Sequence, residues 1–232
     1  MRGWLKELLS GKPQASPDDP PFWKDYIQRI HNQGAADTSL SEADFVVFDT
    51  ETTGLDVKAD KVLSVGAVRV CKGQVLVQDS FEFVVRQEVA AGNKSAEVHG
   101  LLRQEVGQGV PEPEVLMLFL SFVGSAPLVG HHVAFDVEMI NGMIRRCGIN
   151  GKLHNPTVDT AELAKRLERR QHSPDSYRRS DYTLDSLIRK YNLPTESRHT
   201  ASGDAFITAI LLLKLLAQAK QRGISKVGEL VR

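Results

Sequence analysis

Ten residues constrain this chain more than any others: Phe45-Val46-Val47-Phe48-Asp49-Thr50-Glu51-Thr52-Thr53-Gly54. The unbroken apolar run from Phe45 to Phe48 describes a strand covered on both faces, which belongs in the middle of a sheet packed between helices. Asp49 stands at the carboxyl end of that strand, and Glu51, two positions on, shares its face. Two carboxylates side by side repel each other unless one keeps a proton or a cation lies between them. A divalent cation is the economical solution, and a pair of solvated turn residues is the alternative that these ten positions leave open. Thr52-Thr53-Gly54 then turns the chain, with Gly54 free to take positive φ or to admit a ligand close to the backbone.

Composition narrows the partners. At 232 residues and 41% hydrophobic, the chain can bury a full core and suits one substantial domain with a tail. Its 29 Lys+Arg balance 29 Asp+Glu, so bulk charge cannot coat nucleic acid and any such contact must be focal. Cys71 and Cys147 lie far apart without disulfide-framework or zinc spacing, which fits a reducing, cytoplasmic setting. The apolar patch Trp4, Leu5, Leu8 and Leu9 is interrupted by Lys6 and Glu7, unlike a secretory leader. No uncharged run reaches membrane-spanning length, so no membrane partner is expected.

Residues 1–40 read as an extension ahead of a domain at 41–232. The proline-rich stretch from Gly11 to Pro21 holds neither helix nor sheet ladder. Phe22, Trp23, Tyr26, Ile27 and Ile30 then recur at helical spacing, and that apolar face packs either on its own domain or on a protein partner. After the opening strand, the alternation of Val62 to Val70, the turn Lys72-Gly73 and the run Val75 to Val85 predict a meander. Glu97 to Leu101 is a loop or short helix, Pro111 to Val123 a helix, and Pro127 to Gly130 a short buried strand. A helix follows from about Ala134 to Cys147, with Val137, Ile140 and Ile144 as its core stripe and Asp136 on a different side. Thr157 to Asp159 is a strand, Ala161 to about Arg170 and Tyr182 to Tyr191 are helices, and a last long apolar helix begins near Ala201. The basic segment Lys165 to Arg179 is either a solvated helix end or a contact for a phosphate backbone. A meander followed by strand-helix alternation predicts an α/β fold with a mixed sheet.

Four carboxylates thus fall at comparable places: Asp49 and Glu51 at a strand end, and Asp136 and Asp204 in the first turns of two helices. Taken singly, each helical aspartate is explained by capping and by the helix dipole. His199 and Asp204 would lie about 140° apart on one continuous helix. They meet only if His199 belongs to the segment leading into the helix, with Thr200 or Ser202 as the cap.

Three ordered segments resemble the exonuclease motifs of the DnaQ-like, or DEDDh, 3'-5' exonucleases. They are Phe48-Asp49-Thr50-Glu51-Thr52-Thr53-Gly54-Leu55, His131-His132-Val133-Ala134-Phe135-Asp136 and His199-Thr200-Ala201-Ser202-Gly203-Asp204-Ala205. Ser64 to Val68, Val98 to Leu101 and Thr183 to Leu187 are further landmarks, so the likeness runs from about Phe45 to about Leu216. The resemblance implies an RNase H-like α/β fold, a mixed five-stranded sheet flanked by helices, and phosphodiester hydrolysis with two divalent cations, Mg²⁺ or Mn²⁺. It implies that Asp49 bridges both ions, that Glu51 and Asp204 hold one and Asp136 the other, and that His199 is the general base. It also points to Thr52, Gly54, Leu55, His99 and Phe135 as contacts for the terminal nucleotide, with core packing the alternative for Leu55 and Phe135. Three positions depart from the family pattern: His132 stands where Asn is usual, Ser64 where Glu is common and Thr200 where Arg is frequent. The expected activity is removal of mononucleotides from the 3' end of single-stranded or frayed DNA, in proofreading or repair. A 3'-5' exoribonuclease of the same superfamily is the nearest alternative, and a nucleic-acid-binding module without turnover the alternative of another class.

Overall fold

β1 (Asp44–Thr52) carries the Phe45 to Phe48 run, and each of those four side chains is at most 1% exposed. Alternation divides them between two cores: Phe45 and Val47 enter one, Val46 and Phe48 the other. A strand buried on both faces must be central, and β1 is. The computed structural model describes residues 13–32, 35–88, 103–168 and 178–231. Its sheet has the order β3-β2-β1-β4-β5. β2 (Val62–Cys71) and β3 (Gln74–Val84) form the antiparallel meander with β1, while β4 (Leu128–Gly130) and β5 (Thr157–Asp159) add on in parallel. This is the five-stranded mixed sheet that the sequence predicts.

The helices among the described residues are α1 (Pro21–His31), α2 (Arg103–Gly107), α3 (Glu112–Val123), α4 (Ala134–Arg146), α5 (Thr160–Glu168), α6 (Leu184–Tyr191) and α7 (Ala201–Gln221). One core joins α5, α6 and α7 to the sheet; the other joins α1, α3 and α4. α6 starts later than its periodicity predicts, because the Thr183 hydroxyl accepts the Ser186 amide as an N-cap and Arg179–Tyr182 closes into a 3-10 turn. The segment Glu97 to Leu101 and residues 169–177 of the basic stretch lie outside the described residues.

α1 takes the first of its two alternatives and packs on its own domain. Trp23, Tyr26 and Ile27 are buried in the same core as Phe48 and Phe119. The Tyr26 phenol donates to Asn155 Oδ1 at 2.7 Å and accepts the His154 amide at 2.7 Å, so its polar end is satisfied inside the protein. A Cβ at Gly151 would come within 2.3 Å of the Trp23 ring, so the glycine makes room for the indole.

α7 is apolar almost all round because it lies across β1 and β2, with Ile207, Leu211, Leu212 and Leu215 fully buried. Its N-terminus reaches the sheet at Gly66, the cross-strand partner of Asp49. A Cβ there would sit 2.2 Å from the Ser202 amide nitrogen and 2.3 Å from the Ala201 carbonyl carbon. The missing side chain therefore sets how closely the first turn of α7 approaches Asp49. Gly66→Ala must push backbone rather than a flexible side chain, and overpacking of this kind costs typically about 1–3 kcal/mol. We expect a loss in the upper part of that range in urea denaturation; a midpoint equal to that of the parent would contradict the packing argument.

Candidate active site

Beyond Val47 the neighbouring strand falls away: β4 pairs with β1 only at Val46 and Val47, and the carboxyl end of β1 projects past it. The amide of Thr50 is thereby left without a strand partner on that side, and Asp136 supplies one. Its Oδ1 accepts the Thr50 amide at 3.0 Å and the Thr50 hydroxyl at 2.6 Å. Asp136 is 4% exposed and heads a buried stripe with Met139, Ile140 and Met143. The sequence reading that set it apart from the core stripe is thus corrected, and Val137 is only partly buried. The helix directs its apolar face at β1, and the first residue of that face is the one that meets the open strand end.

Asp204 arrives from the opposite core. Thr200 caps α7, its hydroxyl oxygen accepting the Gly203 amide at 3.1 Å, and the close contact at Gly66 presses this first turn against the sheet. Asp49, Glu51 and Asp204 each present a carboxylate oxygen within 4.8 Å of the others. Asp136 lies outside that trio but close enough for its charge to act on Asp49 and Glu51.

Burial, and then mutual repulsion, raise these carboxyls. Asp49 is held well above the ordinary range by burial first, then by Asp136, Asp204 and Glu51. Burial pushes Glu51 up to about 7, with Asp204 and Asp136 adding to the shift and Arg198 opposing it. Burial likewise lifts Asp136 to about 7, although the two Thr50 hydrogen bonds favour its ionised form. An all-oxygen donor set whose negative charge, among the described residues, only Arg198 opposes suits a hard divalent cation such as Mg²⁺ or Mn²⁺, so the residues present fit the metal that the motifs imply.

Comparison with known proteins identifies the family. A family model described as Exonuclease matches residues 46–212. The chain belongs to the DnaQ-like exonucleases. Among curated relatives it is 31% identical over 195 residues to the PolC-type DNA polymerase III of Thermotoga petrophila, covering 84% of this chain and 13% of that protein. It is 32% identical over 207 residues to a DNA polymerase III subunit epsilon-like protein of Rhodobacter capsulatus, covering 88% of this chain and 28% of that one. The chain therefore spans a small part of these relatives' length. Among solved structures, Exonuclease X in complex with 5' overhanging duplex DNA superposes with a TM-score of 0.60 at 19% identity, over 81% of this chain and 99% of that one.

The departures from the DnaQ-like pattern have local reasons. His132 has φ +59°, a left-handed conformation in which Asn is favoured and His is tolerated. Ser64 stands directly across from Glu51, where a glutamate would add a further charge to the same face. Thr200 fills an N-cap that an arginine could not.

The other predicted contacts separate. Leu55 is 85% exposed at the tip of the turn after β1, whereas Phe135 is partly buried against the core beneath α4. The Thr52 hydroxyl donates to the Gly54 carbonyl at 2.7 Å, and the side chain is otherwise buried. Gly54 does not take the positive φ that its turn suggested. Its missing Cβ leaves room for the Asp60 carboxylate, which would lie 2.5 Å away and which also accepts from the Thr53 hydroxyl and the Asp56 amide. His99 lies outside the described residues. His199 sits just before the Thr200 cap, as the motif spacing requires, yet it is exposed, has φ +64°, and makes no hydrogen bond among the described residues. Its neighbour Arg198, which sequence reasoning passed over, binds Asp204 instead. No spacing rule signals this residue, because its partner Asp185 belongs to another helix.

Glu51 and Asp136 titrate near 7 in the folded chain and at about 4 unfolded. They take up protons on folding, so the metal-free protein loses stability as pH rises from the unfolded carboxylate range through 7. Buried His131, pushed down to about 4, works oppositely and removes stability as pH falls toward that value. We therefore expect the melting temperature in EDTA to fall between pH 6 and pH 8. The rise produced by Mg²⁺ should be larger at pH 8 than at pH 6, since the ion binds deprotonated carboxylates. Calorimetry showing a Mg²⁺ shift independent of pH would oppose the assignment.

Proposed function

We propose that this chain is a 3'-5' exonuclease that releases mononucleotides from the 3' end of single-stranded or frayed DNA. The observation that carries the reading is the convergence of Asp49, Glu51 and Asp204 at the open end of the central strand, with Asp136 behind them. Family membership supports it. So does the likeness to Exonuclease X in a complex with duplex DNA carrying a 5' overhang.

In this proposal Asp49, Glu51, Asp136 and Asp204 hold two divalent cations, Mg²⁺ or Mn²⁺. When bound, the ions supply charge stabilisation for the phosphoryl oxygens and for the leaving 3'-oxygen. The chain's own residues position them: Thr50 fixes Asp136, Gly66 fixes the depth of Asp204, and the β1 pleat aims Asp49 and Glu51 to one side. His199, exposed just ahead of the Thr200 cap, is assigned the proton of the attacking water, a role that requires its side chain to turn toward the carboxylates. In the same reading Leu55, exposed on its turn, slides between bases and Phe135 lines the pocket. A protein partner docks through residues 1–40, on surfaces other than the apolar face of α1, which the domain already covers. A cytoplasmic setting fits the two free cysteines.

The test is release of nucleotides from 3'-labelled DNA and RNA oligomers in Mg²⁺ or Mn²⁺. DNA should be shortened one nucleotide at a time, EDTA should stop the reaction, and Asp204→Ala should abolish it. Activity that survives EDTA or equals the parent's in Asp204→Ala would sink the mechanism, and faster turnover of RNA would overturn the substrate. His199→Ala should lose at least about a hundredfold in kcat, a typical contribution of general-base catalysis, while keeping DNA affinity. A kcat within threefold of the parent would remove His199 from that role.

A further inference from the structure

Arg198 bridges two helices. Its Nε and Nη2 donate to Asp185 Oδ1 at 3.1 and 2.7 Å, at the start of α6, and its Nη1 donates to both carboxylate oxygens of Asp204 at the start of α7. The guanidinium side chain is 15% exposed, and its charge also reaches Asp49 and Glu51. The backbone around it is built for this placement. Ser197 and His199, on either side, both have positive φ, +62° and +64°, which non-glycine residues seldom adopt. The Ser197 carbonyl accepts the Thr200 hydroxyl at 2.8 Å, and a Cβ on Gly203 would come within 1.9 Å of that carbonyl oxygen. The segment is thus clamped onto the first turn of α7 with Arg198 turned inward and His199 outward.

We propose that Arg198 is an internal cation of the carboxylate cluster that competes with a divalent ion for Asp204, so that this arginine sets the protein's metal affinity. The inference rests on the reading of Asp49, Glu51 and Asp204 as metal ligands. Its physical basis is competition for the same oxygens. Both carboxylate oxygens of Asp204 are engaged by the guanidinium, so an ion that shares them with Asp49 and Glu51 meets competition for their lone pairs and the repulsion of a positive charge held beside them. A charge-assisted hydrogen bond to a buried carboxylate is among the stronger ones a protein makes, and its weakening is subtracted from the metal's binding free energy. Without metal, the same contact relieves part of the repulsion among the four carboxylates. Asp185 moderates the competition by sharing the guanidinium.

Isothermal titration with Mn²⁺ tests this without reference to turnover. Arg198→Gln should bind Mn²⁺ about tenfold more tightly than the parent, the size expected when one charge-assisted contact no longer competes. The same variant should melt at a lower temperature in EDTA. Asp185→Asn leaves the arginine to Asp204 alone and should shift Mn²⁺ affinity in the opposite direction. Were Arg198 only a strut between α6 and α7, both substitutions would break the strut alike and neither would tighten metal binding. Unchanged or weaker Mn²⁺ affinity in Arg198→Gln, or equal shifts in the two variants, overturns the proposal. Should Arg198→Gln fail to fold, Arg198→Met keeps the length and removes the charge, and its Mn²⁺ affinity must rise above the parent's. A parent protein that binds no Mn²⁺ would instead remove the underlying metal-site reading, a result distinguishable from bound metal with unaltered affinity in the variants.

Discussion

Repulsion among carboxylates at the end of a buried strand is the constraint around which the structure is arranged. Asp49 and Glu51 follow directly on the apolar run of β1, so they cannot be moved into solvent without pulling the central strand out of both cores. Asp136 and Asp204 are then brought toward them by helices from opposite faces of the sheet. A site that served stability alone would spread these charges apart. Here burial and mutual repulsion raise the pKa values of Asp49, Glu51 and Asp136, so folding works against their charge, and the remainder of the domain must offset that cost.

Two small features make the convergence possible. Gly66 has no side chain where the α7 backbone crosses β2, and β4 stops short of the end of β1 so that Thr50 can hand its amide to Asp136. Neither feature touches a substrate or an ion. Both act on the distance between carboxylates, and the spacing of carboxylate oxygens determines whether one cation can be shared among them. The positions that define such a site therefore include residues with no chemistry of their own.

Much of this was legible in the sequence, because the patterns that encode it are local. The apolar run placed β1, alternation placed β2 and β3, and motif order placed Asp49, Glu51, Asp136 and Asp204 at element ends. What escaped depended on contacts between distant segments. Apolar Val137, Ile140 and Ile144 put Asp136 on another side of α4, yet the buried face runs through Asp136, Met139, Ile140, Met143 and Ile144, and only Val137 stands at its margin. Gly54 looked like a turn glycine, yet the group that needs its space is Asp60, six positions away and folded back. Arg198 carried no pattern at all. Its role depends on Asp185, whose own position in the first turn of α6 is what an ordinary helix start would show.

The site is also the joint between two cores, and this sets how damage would travel. Asp204 is carried by the core of α5, α6 and α7, Asp136 by the core of α1, α3 and α4, and Asp49 and Glu51 by the strand they share. Closely packed interiors transmit displacement rather than absorb it. A cavity opened under α7 therefore shifts Asp204 relative to β1 while leaving Asp136 in register, and one opened near α4 does the reverse. α1 belongs to this argument despite its distance from the carboxylates. Trp23 and Tyr26 complete the second core, and Tyr26 ties the helix to the His154–Asn155 turn ahead of β5. Loosening that helix would therefore act on the Asp136 half of the site alone.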